Sequence, residues 1–335
     1  MIKPYVIKDV FTHTMEDNLY KYLEIKMHHY IRDKDFKKIV VFGEYDRGAI
    51  ISKYEKGNKK FNWQRPTAEI KQDTLLIKCP SGMDYVMHYG SLITTYLAIN
   101  NRNFENVFCK VPTQKECDKL IEESNLHEIN PRENVIIGYG LEALVDNSNW
   151  IGAGSFLSID ENVSNKNITF LGCKHSIWGD ISNRVVKFLA DQLKVKKVIY
   201  VGKVGVMDKN IVPNRYLATG NSSYIEGEFI EWDNVFEKLS DGIVKKGVHY
   251  TSPSILLETK NWLKENKNFN FVDPEIGHMA KASIESKIEF SYLHIISNNL
   301  TDISLENLSN ERLKSVIDKR KLLLFKIKEL INKII

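Results

Sequence analysis

The residues best suited to chemistry fall in three stretches of the C-terminal two thirds of the chain. In Phe271 to Leu300, Glu275 opens a helical stretch, and further on the apolar run LHII ends in Ser297, Asn298 and Asn299. A carboxylate at one strand end beside polar amides at the next would hold a sugar or polarise a leaving group. The plain alternative for Glu275 is a favourable first-turn acid. In ITFLGCKHSIWGDISNRVV, a strand meets Gly172 and then Lys174, His175 and Ser176 just before a helix. Polar groups there suit an anion or an activated water, although Lys174 and His175 would serve equally as exposed loop residues. The third stretch, KVIYVGKVG, runs from a strand into Gly202, Lys203 and Gly205. It either lets backbone approach a ligand at a sheet edge or makes a tight strand-to-loop turn.

The elements that must position these residues read as an α/β chain. Short β-branched runs predict strands at Lys38 to Phe42, Thr74 to Lys78, Asn106 to Lys110, Asn134 to Ile137, Ile168 to Leu171, Lys197 to Val201 and His294 to Ser297. Helical spacing predicts helices over Asp180 to Lys194, Pro253 to Glu265, Pro274 to Ser286 and Asn310 to the C-terminus. Between Ile151 and Phe170, two strand-like runs flank a polar turn, the mark of a β-hairpin. The last helix sets Leu313, Ile317, Leu324, Ile327, Ile331 and Ile334 along one stripe, a packing face rather than a membrane-surface one.

Composition narrows the class. At 335 residues, 43% apolar and 27% charged, the chain can bury a full core in about two domains or one enlarged α/β unit. A net charge of +4 over this length excludes the concentrated basic surface of a nucleic-acid binder. Cys79, Cys109, Cys117 and Cys173 have neither zinc-knuckle nor disulfide spacing, so reduced, structural cysteines are expected. The nine histidines show no ligand spacing; adjacent His28 and His29 should point different ways on a helix, and no metal is expected. The charged N-terminus is unlike a signal peptide, and no run is long enough to span a bilayer, so a cytoplasmic protein without membrane contact is the expectation.

The joint order of the pieces from Ile151 to Asn299 resembles the nucleoside phosphorylase and nucleosidase superfamily, which cleaves the N-glycosidic bond of nucleosides. That family shows a hairpin, a strand with a glycine-containing loop, a strand ending in G-x-x-G, a segment like GVHYTSPSILLE, a glutamate at a helix start and a strand ending in Ser-Asp or Thr-Asn. Here these correspond to Gly172, VGKVG, Gly247 to Glu258, Glu275, and Ser297 with Asn298. The resemblance implies a phosphorylase-like mixed sheet covered by helices over residues 131–335. Residues 1–130 would then be an additional N-terminal α/β elaboration that contributes a first core strand at 38–54 under one alignment. It implies that Glu275 holds the ribose hydroxyls and Asn298 engages a purine-type base. Gly172, Lys174, His175, Ser176, Gly202, Lys203, Tyr250, Ser254 and Pro274 would then line the substrate site. It further implies a small-molecule nucleoside as partner, no cofactor beyond inorganic phosphate as a co-substrate, and a homo-oligomer (dimer, trimer or hexamer).

The chain also departs from the family. Asn298 stands where an aspartate would donate a proton, and Tyr200 and Lys203 replace the usual phosphate-binding pattern. Either Lys174, Lys203 and His175 rebuild an anion site or water is the nucleophile. KIVVFGEYDRGAIISKY resembles the first strand and phosphate loop of the family, with Gly43 and Arg47 correctly separated, and is the favoured alignment. The rival is NVIIGYGLEAL, in which Glu142 would sit like a water-activating glutamate. A noncatalytic nucleoside-binding or storage protein on the same fold is the alternative function.

Overall fold

The computed structural model describes residues 1–55, 59–63 and 65–334. Its strands form two sheets, both flanked by helices. The smaller contains β1 (Lys38–Phe42), β2 (Ile50–Ile51), β3 (Thr67–Lys71), β4 (Thr74–Lys78) and β5 (Val107–Lys110) in the order β2-β3-β4-β1-β5. In β1 and β4, successive residues alternate between buried and half-buried, as a strand's two-residue period requires. Helices α1 (Asp17–Lys26), α2 (His29–Asp33) and α3 (Met83–Ile99) belong to this unit. Twelve of the 17 residues of α3 are buried, so it packs as a spacer on all sides. The core of this unit also takes in Ile255 and Leu256 from the distant C-terminal half.

Helix α4 (Gln114–Glu122) leads into the larger sheet and packs on its helix α5 (Asp180–Asp191). The larger sheet holds β6 (Asn134–Gly138), β7 (Phe156–Val163), β8 (Lys166–Cys173), β9 (Lys197–Val206), β10 (Leu217–Thr219), β11 (Ser222–Ile225), β12 (Glu228–Glu231), β13 (Val244–Lys246), β14 (His249–Thr251), β15 (Phe271–Asp273) and β16 (Glu289–Asn299). Helices α6 (Lys260–Glu265), α7 (Ile276–Glu285) and α8 (Lys314–Ile334) complete it. The β7–β8 hairpin turns through Ser164 and Asn165, both at positive φ.

Strand β9 is the axis of this sheet. One side pairs with β16 along its length, while the other changes partner: parallel β6 ends opposite Val201, and antiparallel β15 begins at Gly205. Residues 202–204 therefore lack a strand neighbour on that side, and the sheet opens there, as α/β sheets do at their ligand-binding switch points. Gly138 takes φ 127° as the chain leaves β6, and a side chain there would strike the Val201 carbonyl of β9.

Several expectations are corrected. The favoured first core strand, Lys38–Phe42, pairs only with β4 and β5 of the small sheet, whereas β6 is the strand beside β8 and β9. Gly202 and Gly205 lie inside β9 instead of ending it, because the His294 ring packs where a side chain on Gly202 would stand. Pro253 to Glu265 is not one helix: Ser254 caps a short 3₁₀ turn at Ile255–Leu257, and Thr259 caps α6 afresh. His28 caps α2 instead of sitting within it, and its ring stacks on His29 at 4.4 Å. In the C-terminal stripe Leu324, Ile327 and Ile331 are buried, but Leu313 and Ile317 are exposed. The four cysteines are free and buried. Among the described residues no helix is long and apolar enough to cross a membrane.

Candidate active site

A cavity of about 210 Å³ occupies the opening beside β9. Its wall is built from the strand ends around that opening: Gly138 and Tyr139 after β6, Gly202, Lys203 and Gly205 on β9, Val272 to Glu275 after β15, and Ser297 and Asn298 on β16. Ile177, Trp178 and Ile255 give it an apolar side, and the small unit adds Tyr22 and Lys26 from α1.

Glu275 is held by a short chain of contacts. Asp273 at the end of β15 accepts the backbone N–H of Glu275 at 3.0 Å and of Ile276 at 2.9 Å, capping α7. Asp273 is itself enclosed by two buried imidazoles, His249 Nε2 at 3.1 Å and His294 Nε2 at 3.5 Å. Burial alone would raise the Asp273 pKa, but His249 and His294 outweigh it and hold the carboxylate below its ordinary range. His249 is fixed from behind by Ser223 Oγ, 2.9 Å from Nδ1. Glu275 behaves oppositely. Burial first, then the nearby Asp273 charge, push its carboxyl well above the ordinary range, only partly relieved by the hydrogen bond from Tyr200 and the charge of Lys203. Two carboxylates two residues apart thus have separated titrations, the pattern that divides roles in an active site.

Asn298 sits at a bulge. The β9–β16 register shifts between Ile296 and Asn298, which re-aims the strand end. Ser297 Oγ donates to Asn298 Oδ1 at 2.8 Å, leaving the NH2 group of Asn298 as a donor for a ligand.

Of the residues expected at the site, Ser176, Gly202, Lys203, Pro274, Glu275 and Asn298 line this cavity, and the others lie outside its lining. Gly172 is inside β8 against Phe61. The backbone of Lys174 is tied to Ser155 and Trp63. His175 is wedged between the Tyr45 and Trp63 rings, and burial and Lys174 lower its pKa to about 4. Tyr250 belongs to an aromatic group with Tyr224, Trp262 and Phe269. Ser254 is 2.6 Å from His88 Nδ1. Gly43 and Arg47 stay with the small sheet, where Arg47 lies exposed over Trp63. Glu142, from the rival alignment, is exposed on a 3₁₀ turn. The sequence reading missed Lys26, Glu258, Glu311 and Arg320, which do line the cavity. Glu258 closes the Gly247 to Glu258 segment but was not singled out in it, and Lys26, Glu311 and Arg320 lie in no local motif, so only tertiary packing brings them there.

Fold and cavity together define a mixed α/β protein with a cavity at the switch point of its larger sheet. No protein-family model and no curated protein sequence matches the chain. Among solved structures it is similar to 5'-methylthioadenosine/S-adenosylhomocysteine nucleosidases, members of the nucleoside phosphorylase and nucleosidase superfamily. The Neisseria meningitidis enzyme, in complex with methylthio-immucillin-A, is 13% identical at TM-score 0.44, the match covering 58% of this chain and 98% of that one. The Campylobacter jejuni enzyme is 12% identical at TM-score 0.47, with 60% and 98% covered. The S. pneumoniae enzyme, with a transition-state inhibitor, is 17% identical at TM-score 0.44, with 57% and 97% covered.

Proposed function

We propose that the protein cleaves the N-glycosidic bond of a purine-type nucleoside or a related nucleoside in this cavity. The observation that carries the reading is the convergence of Glu275 and Asn298, from two different strand ends, on one enclosed space with Trp178 in its wall. Glu275, once ionised, accepts hydrogen bonds from two ribose hydroxyls and stabilises positive charge developing on the sugar. The Asn298 NH2 group donates to the departing base, and the indole of Trp178 offers an aromatic face to it. The C–N bond breaks with its electron pair on the base nitrogen. The nucleophile, water or phosphate, bonds to the anomeric carbon, water releasing a proton to solvent as it does so, and the base takes up a proton from solvent because a neutral carboxamide does not supply one. That same property of Asn298 favours the second reading, a nucleoside-binding or storage protein on this fold.

The test is to incubate the protein with a panel of nucleosides and nucleotides, with and without phosphate, and assay free base and sugar products by chromatography. Free base is expected, and its release only with phosphate would mark phosphorolysis. Binding of a nucleoside with no base released from any substrate would replace the enzyme reading with the binding-protein one.

A further inference from the structure

The cavity holds more positive charge than sugar and base require. Lys26 from α1, Lys59, Lys203 from β9 and Arg320 from α8 all line it. Its carboxyl groups are Glu258, Asp273, Glu275 and Glu311, so the formal count is even. Burial weighs on both signs of charge. It pushes Glu258 and Glu275 well above the carboxylate range, and Asp273 is met by His249 and His294. Glu311 faces two ammonium groups, 3.6 Å from Lys26 Nζ and 3.7 Å from Lys203 Nζ.

Arg320 is the second observation. It is 4% exposed; its Nε donates to Asn214 at 2.7 Å and it also bonds Tyr139, yet its Nη2 has no hydrogen-bond partner among the described residues. An unfilled guanidinium donor in a buried wall is costly and calls for an acceptor. The surroundings add to the need. Burial lowers the Lys26 pKa well below its ordinary value, and Arg65, Lys203 and Lys59 lower it further against the pull of Glu311. A structural cluster of this kind would be more stable with fewer cations.

We propose that Lys26, Lys203 and Arg320 form a phosphoryl-binding subsite, and that the substrate is a nucleoside 5′-phosphate. A phosphate monoester is a compact dianion with several acceptor oxygens, matching two point-charge ammoniums and a fork of guanidinium donors. The assignment to the 5′ position rests on the proposed glycosidic cleavage: with the 2′ and 3′ hydroxyls on Glu275 and the base on Asn298, C5′ is the remaining sugar position. The small unit thereby becomes part of the site, since Lys26 is delivered by α1. With the phosphate carried on the substrate, the nucleophile is water.

Calorimetric titration of the full chain with ribose 5-phosphate, ribose and inorganic phosphate tests the subsite without any turnover. Ribose 5-phosphate is expected to bind at least about 100-fold tighter than ribose, some 2.7 kcal/mol. Lys26→Met should remove at least about tenfold of that, and Arg320→Lys should act likewise if it folds. Equal binding of ribose and ribose 5-phosphate would overturn the subsite, whatever the base-release assay gives. If inorganic phosphate binds as tightly as ribose 5-phosphate and accelerates base release from unphosphorylated nucleosides, the site serves a free phosphate, and the nucleotide assignment falls. Base release from nucleoside 5′-phosphates is a separate readout, and its absence beside tight ribose 5-phosphate binding would count against the glycosidase reading and the 5′ assignment that rests on it, and would leave the phosphoryl subsite standing.

Discussion

The two sheets present the same kind of edge and use it differently. In the small sheet, parallel strands β4, β1 and β5 end on one side, where an α/β protein would bind a ligand. That edge is filled by protein. Gly82, after β4, abuts Asp180 and Ile181 of α5, and the helix ends are cross-linked. Asp84 N donates to Asp180 Oδ1 at 3.2 Å, and Asp180 N donates to Asp84 Oδ2 at 3.0 Å. In the large sheet the corresponding edge stays open because β9 changes neighbours at Gly202. Parallel strands and a helix start make an edge; an unpaired stretch in the central strand makes a cavity. The small unit contributes from helix α1 and from Lys59 and Asn62 between β2 and β3, not from its strands.

The strongest test of that contrast is Glu275→Ala. Loss of a transition-state contact in the open edge is expected to lower turnover by at least about 100-fold, measured as base release at saturating substrate. The sharper variant is a pH profile. The folded pKa of Glu275 is raised, and the ribose hydroxyls need the carboxylate, so activity should rise with pH through a value above the ordinary carboxylate range. Glu275→Gln should abolish that limb. An unchanged rate in Glu275→Ala would remove the ribose from this edge altogether.

The second difference is in acid response. Burial lowers the pKa of His13 and His28 to about 4 and of His88 to about 3, all in the small unit or its contacts, against two such groups beside the large sheet, His175, lowered to about 4, and His294, also lowered. Their folded pKa values lie below the unfolded value of about 6.5, so the folded state resists protonation. Stability present above pH 6.5 is therefore lost as pH falls toward 4. A tenfold difference in proton affinity between the folded and unfolded chain is worth about 1.4 kcal/mol. Hydrogen exchange at pH 4.5 should therefore show β1, β4 and α3 losing protection before β9 and β16. Simultaneous loss would mean that the two sheets unfold as one.

How much of this was legible in sequence follows the same division. Strands such as KIVVF and KVIYV announce themselves by β-branched runs, and Glu275 and Asn298 stand out because each lies at the end of a strand run. Partnership between strands is not a local property. Arg47 follows a strand with plausible spacing, yet that strand joins the small sheet, so the residue never approaches the cavity. Helix α3 has no polar face, and its near-uniform burial erased the periodicity by which a helix is read. Arg320 lies among lysines in DKRKLLL and reads as a solvated face; only the packing of α8 buries it.

A smaller effect is expected at the joint. Asp84→Ala removes the acceptor for Asp180 N and the 3.3 Å contact with His278 Nε2. Caps of this type are worth about 1 kcal/mol, so Tm should fall by roughly 2–4 °C. Asp84→Asn keeps an acceptor and removes the like charge that, after burial, helps raise the Asp180 pKa, so it should cost less. In a double-mutant cycle with Asp180→Ala, a coupling above about 0.5 kcal/mol is expected, and additivity would mean that the two helix starts do not support each other.

The smallest effect belongs to Glu258, where the two regions share one residue. Its carbonyl accepts Thr14 N at 3.2 Å and Thr14 Oγ1 at 2.8 Å, tying down the N-terminal segment, while the residue lines the cavity. Burial raises that carboxyl well above its ordinary pKa. The stability of the neutral form is complete below the unfolded pKa of about 4.3 and is lost as pH rises toward the folded value. Glu258→Gln keeps the backbone tie and removes the ionisation, so it should raise Tm by about 1–3 °C at pH 8, with a gain that shrinks toward zero at pH 4.5. A constant gain across that range would assign the effect to packing. A loss at pH 8 would show that the ionised carboxylate is needed in the cavity, answering one of its cations.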